Sequence, residues 1–301
     1  MINAKYIWII VSVALLTLSH LVRAYRWNLL IEALSFHPPF RITFFSMMVG
    51  YLANYAFPRI GEITRCGVLA KTEKIPADKL FGTVIIERGV DVLTLIVFLV
   101  ILITARFEFF SHFIKPQIFD PFTDFFSSSF QKSMVIWIIV IGVPLILLIL
   151  AFKYRARLGK LKFFAKIKDI IKGVISGLKT VYTMKRGLEF IVTSFLIWIF
   201  YWLMTYTAFF AFSFTADLKL IDGLFVLVIG AFAFVVPVQG GIGAYHWIVS
   251  LGMMLYGLTR EEGLAFATIT HGSQALWTII LGTFSIIILM SVRRNKKTIP
   301  A

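Results

Sequence analysis

The stretch "VIIERGVDVLTLIV", residues 84–97, sets Glu87, Arg88 and Asp91 inside an apolar run. Glu87 and Asp91 are four residues apart and Arg88 and Asp91 three, so all three can share one side of a helix. At the bilayer centre a charged side chain costs at least ~2.5–3.5 kcal/mol, which keeps such groups paired and turned toward an interior or a wet cavity. Two readings follow: a structural ion pair with Arg59 or Arg65, or a polar site that binds something.

A second stretch, "GYLANYAFPRIGEITR", residues 50–65, ends an apolar run with Asn54, Arg59, Glu62 and Arg65. Pro58 and Gly61 unwind the backbone there, and free N–H and C=O groups at membrane depth are tolerated only beside protein or water. Guanidinium groups bind phosphate oxygens in pairs, so two arginines beside free N–H groups suit a phosphate. Glu62, Glu87 and Asp91 would balance the arginines, or hold an amine or a proton. The expectation is a lipid-headgroup site where a short helix ends at the cytoplasmic side, near the start of Leu80–Ala105.

The third stretch, "FVVPVQGGIGAYHW", residues 234–247, breaks the chain again. Its glycines, Gly240, Gly241 and Gly243, let backbone N–H groups converge on an anion, with Gln239 and His246 beside them and a helix N-terminus following. A tight turn between two helices is the plainer alternative. Paired interruptions in the two halves of a membrane protein point to a transport site. Both interruptions are therefore expected to meet at the bundle centre, with Arg59, Glu62, Arg65, Glu87, Arg88 and Asp91 in one cluster. His20, Arg23, Arg26 and Trp27 read as an interfacial anchor, and His271 with Gln274 as an interhelical hydrogen bond.

The elements that position these groups are helices in a membrane. The chain has 301 residues, 59% of them hydrophobic, with 31 Phe and a mean hydropathy of +0.88. Soluble domains stay near about 45–50% apolar. Apolar runs cover Tyr6–Val22, Thr43–Phe57, Leu80–Ala105, Met134–Phe152, Phe190–Phe214, Leu220–Pro237, Ala244–Leu258 and Leu264–Val292. Crossing a ~30 Å hydrocarbon core takes ~20 residues of helix. Thr43–Phe57 and Ala244–Leu258 are short and flanked by Pro or Gly, so they read as broken or re-entrant. Strands of alternating polarity are absent, which excludes a β-barrel. The fold class is an all-α, polytopic helix bundle of about eight segments. Tyr6–Val22 lacks a small-residue cleavage site and runs into "RAYRW", so it reads as a retained helix.

Net charge is +15, and it is concentrated. Residues 153–187 and the tail from Arg293 to Lys297 carry 14 of the 15 net charges, whereas 106–132 sums to zero. The positive-inside rule puts 153–187 and the C-terminus in the cytoplasm and the Phe-rich 106–132 outside. Four apolar segments separate the two basic regions, an even number that agrees with this. Apolar residues from Leu158 to Leu178 recur at helical spacing among lysines, the pattern of an amphipathic helix lying on anionic headgroups. Nucleic acid is not an expected partner. A lone cysteine, Cys66, excludes an internal disulfide and a thiolate metal cluster. No G-x-x-x-x-G-K-[ST] loop is present, so nucleotide hydrolysis within the chain is excluded as a driver. Neither a cofactor nor a metal is expected.

The motifs "RAYRWNLL", "GYLANYAFPRIGEITR", "ERGVD" and "PVQGGIG" resemble, in order and spacing, the lysylphosphatidylglycerol synthase transmembrane (flippase-like) family. The resemblance covers nearly the whole of residues 1–301, read as one domain. It implies an all-helical domain of the bacterial inner membrane that moves an aminoacylated or other phospholipid between leaflets. Family members that carry a soluble synthase domain add lysine to phosphatidylglycerol. This chain ends at Ala301 without one, so catalysis is not expected and a separate lipid-modifying enzyme is the implied partner. Two features depart from the family pattern. A helix usually precedes the "RW" segment, and a Glu typically follows the Gly-rich motif where His246 stands here. Besides lipid translocation, the residues leave open a prenyl or lipid transferase using Glu87-x-x-x-Asp91 to hold Mg²⁺, a small-solute channel, and a lipid-binding membrane subunit acting with a separate synthase. The first lacks a second carboxylate cluster for octahedral Mg²⁺, and the second lacks a vestibule.

Overall fold

The computed structural model describes residues 4–106 and 184–298. Residues 1–99 and 176–301 form one compact unit, which contains everything discussed below, and 100–175 form another. The basic loop 153–187, apart from its last residues, and nearly all of the Phe-rich segment 106–132 lie outside the described residues.

Helix α1, Tyr6–Glu32, runs ten residues past the apolar run read from sequence, through Arg23, Arg26 and Trp27. It packs antiparallel to α5, Gly187–Phe209: the Ser12 hydroxyl donates to the Met204 carbonyl at 3.0 Å and Arg26 to the Ser194 hydroxyl at 3.1 Å. Helix α8, Arg260–Thr298, is the longest among the described residues. Among the described residues these three helices are long and apolar enough to cross a membrane. Helix α4, Ala77–Ala105, carries the charged triplet.

The remaining described helices form two hairpins. Helix α2, Phe40–Ala56, stops where Phe57 turns extended, as a residue before proline tends to. Helix α3, Gly61–Glu73, then doubles back along it. The crossing is tight: a Cβ on Gly50 would lie 2.7 Å from the Gly61 carbonyl oxygen. Helix α6, Leu220–Ala233, and α7, Ala244–Met254, make the second hairpin, closed by Gly230 against the Tyr245 ring and Gly252 against Phe225 and Ile229. At ~1.5 Å per residue none of the four reaches ~30 Å. Thr43–Phe57, Leu220–Pro237 and Ala244–Leu258 are thus halves of re-entrant hairpins. The apolar run Leu220–Pro237 is not helical throughout, because its helix ends four residues before Pro237.

The hairpins enter from opposite ends. Arg186 pairs with Glu32 at 2.9 Å, Lys79 lies over the Phe36 ring, and Arg293 donates to the Thr72 hydroxyl and the Val68 carbonyl. These contacts gather the open end of α2–α3 with the ends of α1 and α8 and the starts of α4 and α5, at one basic end of the bundle. At the other end the Lys5 N–H meets the Ala211 carbonyl, and Gly263 of α8 packs on Ser250 of α7. Along α8, Gly282 touches Leu52 of the first hairpin, and His271 meets the Gly240 carbonyl at 3.0 Å in the turn of the second. Both tips therefore lie near the middle of the 35-residue span Arg260–Arg294.

The tip of α2–α3 accordingly lies at mid-bundle depth, with residues 56–60 exposed on its surface. The reading that residues 54–65 close a helix at the cytoplasmic side is corrected: they sit at the far end of α2 from where α4 begins. A 13-residue α3 returns the chain to the end where α4 begins, which the polar composition of "GEITRCGVLAKTE" conceals.

Candidate functional site

Burial first isolates a core of opposite charges. Glu87 is fully buried in α4, with Asp91 one turn further along at 8% exposure. Their partners come mainly from α1. Arg23 donates from Nε to Glu87 Oε1 at 2.9 Å, from Nη2 to Asp91, and from Nη1 to the Tyr201 hydroxyl at 3.1 Å. Arg26, at zero exposure, bridges Asp91 Oδ1 at 2.7 Å and Glu87 Oε1 at 3.3 Å. Arg65 reaches Glu87 Oε2 at 2.8 Å from α3, with its guanidinium 4.6 Å over the Trp27 ring. The Trp27 indole N–H is itself fixed by the Thr83 hydroxyl at 2.8 Å.

Arg23, Arg26 and Trp27 are therefore not an interfacial anchor. They are buried because α1 continues ten residues beyond its apolar run and turns one stripe inward. His20, Arg23 and Arg26 recur every three residues, a spacing that marks a shared helix face. Two buried acids in α4 also require cations from a neighbouring helix, and that requirement was the signal available in sequence.

The other expected residues divide into three groups. Glu62 pairs with Arg88 at 3.0 Å, and Arg88 also approaches Asp91 at 3.8 Å. This pair is half-exposed and forms the rim of the buried core. Asn54 and Arg59 instead hold the tips in place. The Asn54 carboxamide oxygen accepts the Gly61 N–H at 2.7 Å, capping the start of α3. Arg59, at φ 61°, donates to the Val235 carbonyl at 2.5 Å and so joins one tip to the other. Arg59 is thus outside the cluster in which it was expected. It lies at the apex of the hairpin, and the chain leaves that apex before α3 carries Arg65 to Glu87.

The Gly-rich residues form the second tip, and they do not meet the charged core. Gly240 has φ 56° and packs so closely that a Cβ would lie 2.3 Å from the Tyr55 ring. Gln239 and Gly241 complete this turn, and Gly243 follows at φ 85°. The Gly243 N–H donates to His246 Nδ1 at 3.2 Å. His246 thus takes the place that Glu occupies in a capping box. The interhelical role read for His271 appears as its contact with the Gly240 carbonyl, and its ring stacks on Tyr245 at 4.9 Å.

Every carboxylate oxygen of Glu87 and Asp91 faces a guanidinium. A Mg²⁺ ion taking oxygen ligands there would have to displace arginines, so Glu87-x-x-x-Asp91 does not fit that metal. Among the described residues no other group of His, Cys, Asp and Glu has the makings of a metal site.

The model of the lysylphosphatidylglycerol synthase TM region matches residues 1–282. The chain belongs to that family. It is a multi-pass membrane protein, as its apolar helices require. A relative in Methanocaldococcus jannaschii, the UPF0104 membrane protein MJ1595, is 29% identical over 117 residues, 38% of this chain. The aligned part spans 31% of that relative's length. No solved structure matches the chain. For this family member, the charged core and two opposed hairpin tips are the features with chemical content.

Proposed function

We propose that this membrane domain moves a lipid with an anionic or aminoacylated headgroup between leaflets. One observation carries the reading: two re-entrant hairpins from opposite ends meet at mid-depth, beside a buried cluster of arginines and acids. Broken helices meeting near the midplane are how transporters place polar groups where no continuous helix would. An apolar groove of about 470 Å³, lined by Leu52, Tyr55, Thr64, Ile279 and Ile286 among others, runs beside the first hairpin. It suits an acyl chain while the headgroup meets the half-exposed Glu62–Arg88 rim. Catalysis is not part of this reading, because saturated carboxylates serve a metal-dependent transfer poorly. A separate lipid-modifying enzyme would supply an aminoacylated substrate.

The test is leaflet-to-leaflet transfer of fluorescent phosphatidylglycerol in vesicles holding the purified protein. Wild type should make inner-leaflet lipid accessible to an outside quencher, and Arg88→Gln should lose most of that transfer while folding normally. No transfer by folded wild type, for phosphatidylglycerol or its lysyl form, would refute the proposal.

We place the basic end in the cytoplasm of a bacterial cell, on the positive-inside rule. Lys74 and Asp217 are exposed at opposite ends, while Cys66 is buried and stays silent. In intact cells, an impermeant thiol reagent should therefore reach a cysteine at 217 but not one at 74. Labelling of both from outside contradicts this orientation.

A further inference from the structure

Among the described residues the only acids that Arg23, Arg26 and Arg65 pair with are Glu87 and Asp91, so three buried cations meet two anions. The rim pair Glu62–Arg88 is neutral by itself and leaves this imbalance unchanged. Among the described residues, one positive charge remains without a counter-charge in the interior of a membrane protein. An isolated charge at such depth is expensive enough to demand a partner.

The hydrogen-bond donors show where that partner belongs. Arg23 places all three of its nitrogens, but Arg65 uses only Nη2. Among the described residues its Nε and Nη1 have no acceptor, although the side chain is only 2% exposed. The Tyr51 hydroxyl and both ring nitrogens of His20, at 5% exposure, are also without partners among the described residues. These groups are neighbours. The His20 and Tyr51 rings lie 4.8 Å apart, and Tyr51 is within electrostatic range of Arg23 and Arg65. Gly50, next to Tyr51, packs against the Arg65 Cβ. Water would satisfy donors but not the charge.

We infer that the inner face of α1, α2 and α3 holds a seat for one phosphate group with a single negative charge, bound by Arg65, Tyr51 and His20. A phosphodiester carries one charge, equal to the surplus, and its oxygens spread over several directions as the donors do. The Arg65 Nε–H and Nη1–H point to different sides of the guanidinium, and each can give a phosphate oxygen a charge-assisted hydrogen bond. The seat deepens the transport reading by naming the group that enters. It rests on that reading only for the source, lipid or soluble phosphate.

The test follows the thermal midpoint of the detergent-solubilised protein at constant ionic strength. Short-chain phosphatidylglycerol, diacylglycerol with the same chains, inorganic phosphate and chloride are titrated in turn. Phosphatidylglycerol should raise the midpoint saturably, and diacylglycerol should not. Tyr51→Phe should weaken the apparent affinity about tenfold. Arg65→Lys, which keeps the charge but not the planar guanidinium donors at Nε and Nη1, should weaken it at least as much. It provides a second variant should Tyr51→Phe fold poorly. Stabilisation by inorganic phosphate alone upholds the seat and removes the lipid from it, which counts against transport. A seat that binds phosphatidylglycerol in a protein that moves no lipid likewise separates the two. Chloride acting as well as phosphate, diacylglycerol acting as well as phosphatidylglycerol, or both variants binding as wild type does would overturn the seat.

Discussion

Glu87→Gln is expected to be among the most damaging single substitutions in this protein, at about 3–5 kcal/mol, the usual cost of orphaning a buried charge. Glutamine keeps the shape and still accepts hydrogen bonds, so what is lost is the charge. Three guanidiniums would then face Asp91 alone. Arg65→Met should cost clearly less, because Arg23 and Arg26 then face two carboxylates in balance. The double variant should be more stable than Glu87→Gln, since removing Arg65 returns the surplus to its wild-type value. Thermal unfolding of the four proteins in one detergent measures this cycle. Additive losses, or Arg65→Met as the worse single change, would show that the core is not organised by charge.

The second large effect is expected at the crossing of the first hairpin. A Cβ on Gly61 would lie 2.3 Å from the Gly50 carbonyl oxygen and 2.5 Å from the Asn54 carboxamide nitrogen. The first is backbone and cannot rotate away. Gly61→Ala must therefore push α3 off α2, and Arg65 sits one turn further along the displaced helix. At least ~2 kcal/mol should be lost, as in overpacked cores, together with the Arg65–Glu87 pair. Gly67→Ala is the control, on the same helix with no atom within 4 Å of its Cβ. It should be neutral or stabilise by up to ~1 kcal/mol through helix propensity. Equal losses at both positions would mean that close helix approach is not what Gly61 provides.

Composition and the lengths of the apolar runs determined by themselves that this is a polytopic helical membrane protein, because no aqueous fold buries so much Leu, Ile and Phe. The clustering of positive charge implied one basic end, and a hairpin, entering and leaving by the same end, does not change the parity that the argument used. Glu87 and Asp91 were legible as buried and paired, since four residues make one helical turn and a membrane interior does not tolerate lone acids. Their partners were not. Helix α1 continues through arginines that look interfacial in one dimension, and only packing against α4 and α5 shows that the face bearing Arg23 and Arg26 turns inward. Arg59 and Arg65 looked equivalent six residues apart, yet the turn between α2 and α3 sends one to the opposite hairpin and the other into the charged core. Hydropathy likewise sees α6 and α7 as spans or fragments, because a re-entrant helix is as apolar as a crossing one. Which end each hairpin enters, and that the two tips meet at mid-depth, depends on contacts between residues nearly two hundred positions apart, such as Arg59 with Val235. Such contacts leave no periodicity in the chain, so only the tertiary structure decided them.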